Sequence, residues 1–68
     1  MPFRIQVERE EDGRWIAEVP DLPGVLAYGQ SRQEAVERVQ ALSLRVLADR
    51  LENGETVPGI ANVFAVAP

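Results

Sequence analysis

The chain contains no cysteine, no histidine and no lysine, so all seven of its basic residues are arginines. Without cysteine there are no disulfides and no thiolate ligands, and without histidine the common zinc constellations are excluded. Nucleophilic catalysis needs an activated nucleophile and usually a base beside it, which these three absences remove in their ordinary forms. There is no long apolar run either: the N-terminus is too short in hydrophobic residues for a signal peptide, and nothing approaches the roughly 20 apolar residues of a membrane span. The expected compartment is therefore the cytoplasm, with no membrane association. The phosphate-cradling patterns G-x-G-x-x-G and G-x-x-x-x-G-K are also missing.

What remains is a composition of 46% hydrophobic and 26% charged residues, which suits an ordered globular domain. At 68 residues one domain, spanning 1–68, is expected. A core this small buries only about 60% of the unfolded surface and supplies no more than about 3–5 kcal/mol. Disulfides and thiolate metal sites being excluded, oligomerisation is the remaining stabiliser, and a homo-oligomer of at least two copies is expected. The net charge of −4 and pI near 4.6 disfavour contact with nucleic-acid backbones and favour a basic protein partner.

Phe3, Ile5 and Val7 alternate with Arg4, Gln6 and Glu8, the period of a half-buried strand. Glu10, Glu11, Asp12 and Gly13 form a hairpin turn, and Trp15, Ala17 and Val19 provide the apolar side of a second strand. For both apolar sets to share a face the loop must hold an odd number of residues, and loops of three and of five both satisfy this. Pro20 and Pro23 impose extended geometry on the residues before them, and Gly24 permits the reversal. A short third strand is expected over residues 25–30. Ser31 then stands three residues before Glu34, the spacing of a capping box, and starts a helix that runs without Gly or Pro to residue 53 and is capped by Gly54. Glu34 and Arg38 form a favourable i,i+4 pair on it.

The apolar residues of this helix occupy an arc of roughly 200°, wider than the ~100° stripe that one sheet covers. The Leu44, Leu47 and Leu51 flank is therefore expected to be covered by something beyond the chain's own sheet. Residues 60–67 carry no charge; as a strand they place Val63 and two alanines on one face, and Ile60, Phe64 and Val66 on the other. A strand apolar on both sides is central in a covered sheet or lies in an interface. The only carboxylate cluster is Glu8, Glu10, Glu11 and Asp12 at the hairpin tip, expected to be solvated. Ser31 and Ser43 are read as structural, Trp15 as a core residue, and Gly24 and Gly29 as turn glycines. Neither a catalytic nor a metal site is expected, and no cofactor.

The Pro20-Asp21-Leu22-Pro23-Gly24 turn after Trp15-Ile16-Ala17-Glu18, the Gly29-Gln30-Ser31 lead into the helix, the Glu34-Ala35 pair and the Asn53-Gly54-Glu55 exit together resemble the HicB family of toxin-antitoxin antitoxins. Val25 and Gln30 replace residues more usual in that family. The resemblance implies an α+β fold of order β-β-β-α-β, an antiparallel sheet with one helix on one face, described as a partial ribonuclease H fold. It also implies a binding function: such proteins cover a small basic HicA-like mRNA interferase and block its active site. Many members continue into a helix-turn-helix or ribbon-helix-helix domain that binds operator DNA. This sequence runs to Pro68 without one, so no direct DNA binding is expected. Two other classes fit parts of the pattern: an RNA-binding module of double-stranded-RNA-binding-like topology, and a small oligomeric ligand-binding protein. The candidate association residues are Leu44, Leu47, Leu51, Val63, Phe64 and Val66, together with the four hairpin carboxylates.

Overall fold

A computed structural model describes residues 3–57, 59–60 and 63–68. The architecture is α+β: strands β1 (Gln6–Arg9), β2 (Trp15–Glu18) and β3 (Leu26–Gly29) precede helix α1 (Arg32–Glu52). The strands form one antiparallel sheet in the order β1-β2-β3.

Register follows from the first turn. The Gly13 amide donates to the Glu10 carbonyl (3.0 Å), the Glu10 amide donates to the Arg14 carbonyl (2.7 Å), and Gly13 sits at φ +90°. That is the three-residue loop closed by a glycine bulge, and it decides between the two loop lengths the sequence allows. Val7 consequently faces Ala17, which faces Ala27, so one side of all three strands is apolar. Trp15 is half-buried on that side and packs against the core.

Between β2 and β3 two turns follow each other. The Leu22 amide donates to the Val19 carbonyl (2.9 Å) and the Val25 amide to the Leu22 carbonyl (3.0 Å), with Gly24 at φ +83°. Pro at the second position and a positive-φ Gly at the third mark the later turn as type II. The geometry drives Leu22 inward, where it is 2% exposed and among the most deeply buried side chains.

The helix begins and ends on local chemistry. The Ser31 hydroxyl accepts from the Glu34 amide (3.1 Å), and the Glu34 carboxylate accepts from the Gln30 amide (2.9 Å), one residue earlier than a simple capping box would have it. At the other end the Gly54 amide donates to Leu51 (3.1 Å) and the Glu55 amide to Arg50 (2.9 Å), with Gly54 at φ +76°. These are the paired bonds of a Schellman cap.

Helix and sheet differ greatly in length. A helix of 21 residues spans about 31 Å, whereas strands of four residues span about 13 Å. α1 lies chiefly over β3 and β2 and only lightly over β1. Its buried line, Ala35, Val39, Ser43 and Leu47, meets Ala17, Val19, Leu22 and Val25, and Val57 closes the core from beyond the helix. Ser43 satisfies its hydroxyl on the Val39 carbonyl (2.7 Å).

Three expectations are corrected. Gly29 does not adopt a positive φ and is no turn glycine. It lies in β3, where an added Cβ would stand 2.5 Å from the Ala35 nitrogen, so it is there because strand and helix touch. Leu47 is not left uncovered: at 8% exposure it belongs to the chain's own core. Finally, the last strand of the expected order is not formed by the described part of residues 60–67. The Ile60 carbonyl instead accepts from the Val63 (2.9 Å) and Phe64 (3.1 Å) amides in a tight turn, and residues 63–68 continue exposed and without regular structure. Among the described residues α1 is the single layer over the sheet, so one face of such a strand would stay bare. Pro58, Ala61 and Asn62 lie outside the described residues.

Candidate functional site

The overhang of α1 and its offset from β1 leave an apolar groove of about 610 Å³. Its walls come from four places: Phe3 and Ile5 ahead of β1, Val19 just after β2, Leu44, Leu47, Ala48 and Leu51 on the helix, and Ile60, Val63 and Phe64 beyond it. Gln40 and Ser43 are its polar members, and no charged residue lines it. Leu44 (67% exposed), Leu51 (46%), Val63 (60%) and Phe64 (71%) stand around the opening. Five of the six apolar association candidates thus gather in one place, although they come from two segments remote in sequence. Val66 is fully exposed.

The hairpin carboxylates are elsewhere and are not equivalent. Asp12 accepts from the Arg14 amide (3.0 Å) and from Arg14 Nε (2.7 Å). The backbone amide of Arg14 first, and its side chain second, hold the Asp12 carboxyl below an ordinary aspartate value. Its charge is thus paired within the turn, while Glu8 and Glu11 are exposed and Glu10 is half-buried.

The uncovered face of the sheet carries Glu8, Ile16 and Tyr28 in one cross-strand row, and Gln6, Glu18 and Leu26 in the next. The Arg14 guanidinium lies 4.5 Å from the Tyr28 ring centroid. Tyr28 therefore has a cationic neighbour on the solvent side and is not a core residue. Glu18 is on this same face, and Asp21 is in the exposed turn.

One functional detail lacked any sequence signal. The Arg38 Nη1 donates to the Tyr28 carbonyl (3.0 Å), while its Nη2 is 3.4 Å from Glu34 Oε1. The i,i+4 spacing foretold the ion pair, but not that the same guanidinium would also bond the Tyr28 carbonyl on the outer edge of β3. No helix among the described residues is long and apolar enough to cross a membrane.

No family model matches the chain, and no solved structure does. Two proteins do. A UPF0150 protein of Archaeoglobus fulgidus is 37% identical over 59 residues, covering 84% of this chain and 86% of the relative. A UPF0150 protein of Thermoplasma acidophilum is 24% identical over 58 residues, covering 85% and 84% respectively. These alignments run through the hairpin, the double turn and the helix together, and the chain belongs to the UPF0150 family.

Proposed function

We propose that this UPF0150 chain is a HicB-like antitoxin, or a binding module derived from one, which neutralises a small basic HicA-like mRNA interferase by covering it. It works as a homo-oligomer of at least two copies in the cytoplasm, without a cofactor and without chemistry of its own. The observation that carries the self-associating part of this reading is the uncharged groove bordered by Leu44, Leu51, Val63 and Phe64. Apolar surface concentrated in one concavity is characteristic of an association site, and of its two polar side chains, Gln40 and Ser43, the serine hydroxyl is already engaged with the Val39 carbonyl.

The division of surfaces supports two kinds of contact. The groove has nothing to attract a charged partner and suits self-association. The exposed Glu8 and Glu11, on a chain of net charge −4, suit a basic protein. Electrostatic complementarity of that sort acts mainly on the association rate and on partner choice. The β-β-β-α order is also compatible with an RNA-binding module, but a negative net charge without lysine opposes phosphate contact.

Affinity capture from the native cytoplasm, followed by mass spectrometry, tests the proposal. A small basic protein recovered in stoichiometric amount, whose ribonuclease activity the chain suppresses, is the expected result. Recovery of RNA without such a protein would replace this reading by the RNA-binding one.

A further inference from the structure

The two edges of the sheet are treated differently. Glu10 bonds to Arg14 across the hairpin, so alternation directs the backbone groups of even-numbered β1 residues toward β2. The N–H and C=O of Val7, and of Ile5 in the same alternation, then point away from the sheet. β1 pairs only with β2 among the described strands. At the opposite edge the Tyr28 carbonyl is occupied by Arg38. The β1 edge is unpaired among the described residues, and it borders the apolar groove through Phe3 and Ile5. Such an edge is a template for another extended chain.

We propose that residues 63–68 of one copy pair as an added strand with β1 of a second copy and lie across that copy's groove, reciprocally in a two-fold dimer. The inference rests on the oligomeric part of the reading above and names the element that makes the contact. Four observations carry it. The groove lining has no charge, and neither has the segment, so a charged partner is poorly matched to the groove while this segment is well matched. Residues 63–68 are all exposed and form no regular structure, Val66 being 100% exposed, so they are available. The segment's own copy leaves the groove open, because the turn at Ile60 holds Val63 and Phe64 at its rim, 60% and 71% exposed.

The alternation of side chains is the fourth. In a strand on the β1 edge one face meets the groove and the other meets solvent. Phe64 and Val66 share a face and would fill the groove, while Val63, Ala65 and Ala67, smaller side chains, would lie on the uncovered side. Reciprocal exchange satisfies both edges at once and closes the assembly at two copies.

The test uses the full chain. Amide hydrogen exchange is followed by NMR at low and at high protein concentration, alongside sedimentation, for the wild type and for the F64D/V66D variant. In the wild type the Ile5 and Val7 amides are expected to slow by roughly tenfold or more as the dimer fills. The variant is expected to stay monomeric, to lose that slowing, and to keep its circular dichroism and dilute-solution melting temperature, since both residues are exposed in the monomer. A variant that dimerises like the wild type would overturn the segment's role and leave self-association standing. Slow exchange of Ile5 and Val7 at every concentration would place the strand within one copy and overturn the exchange. A wild type that never associates would overturn both this inference and the oligomeric part of the proposed function.

Discussion

Gly29→Ala adds one methyl group where β3 meets the first turn of α1. The new Cβ would stand 2.5 Å from the Ala35 nitrogen, and 3.0 Å from both the Ala35 Cα and the Glu34 carbonyl carbon. All three are helix backbone atoms, and Ala35 is itself fully buried, so neither side has a rotamer with which to yield. The helix must lift or the strand must bend. Ordinarily replacing glycine by alanine within a strand gains roughly 0.5–1 kcal/mol through lower unfolded-state entropy. Overpacking costs about 1–3 kcal/mol, and a clash with rigid backbone belongs at the upper end. The net loss is about 2 kcal/mol, a large share of the roughly 3–5 kcal/mol that a core of this size supplies. At about 4–8 °C per kcal/mol for small domains, the melting temperature should fall by roughly 8–16 °C. Gly24→Ala is the control: nothing lies within 4 Å of its added Cβ, but its φ of +83° makes the backbone alone responsible for any loss. Thermal unfolding by circular dichroism at one protein concentration compares them. An unchanged or raised melting temperature for Gly29→Ala would refute the close-approach argument.

Ser31→Ala should cost about 0.5–2 kcal/mol by removing the acceptor for the Glu34 amide, with partner binding retained; loss of binding at an unchanged melting temperature would make Ser31 a contact residue. Reversing charge at Glu8 and Glu11, which leaves the Asp12–Arg14 pair intact, should slow association with a basic partner at low salt and flatten its salt dependence in stopped-flow measurements. An unchanged low-salt rate would exclude the hairpin from the docking surface. Because Asp12 has a lowered pKa in the folded chain, its contribution is fully present above the unfolded-state value and disappears as pH falls through the lower, folded one. Asp12→Asn should therefore lower hairpin order at neutral pH, where the Asp12–Arg14 pair contributes, and flatten the further loss on the acid side that NMR sees in the wild type.

The fold was legible wherever local rules act alone. Alternation located the first two strands, the Ser31 and Glu34 spacing located the helix start, and Gly54 its end, because each depends on residues within a turn of one another. The hairpin register was narrowed to two choices by the requirement for a common apolar face; the Gly13 bulge decided it. What remained hidden depends on the separation of elements distant in sequence. Gly29 looks like a turn residue until Ala35 is set against it, and Arg38 looks like half of a helix pair until β3 is placed beside it. Leu44, Leu47 and Leu51 lie on the same flank, yet only Leu47 is buried in the chain's own core, while Leu44 and Leu51 stand exposed beside the groove. The last segment was expected as a strand on hydrophobicity, but a strand also needs a partner, and within one copy residues 63–68 form no regular structure beyond the turn at Ile60.

The most direct measurement of the binding role is an RNA cleavage assay with a small basic HicA-like interferase from the same cell, titrated with this chain. If the proposed binding role holds, cleavage stops when the chain reaches a fixed stoichiometric ratio, and the chain alone leaves the RNA intact. Cleavage that continues at excess chain, or cleavage by the chain itself, would contradict it.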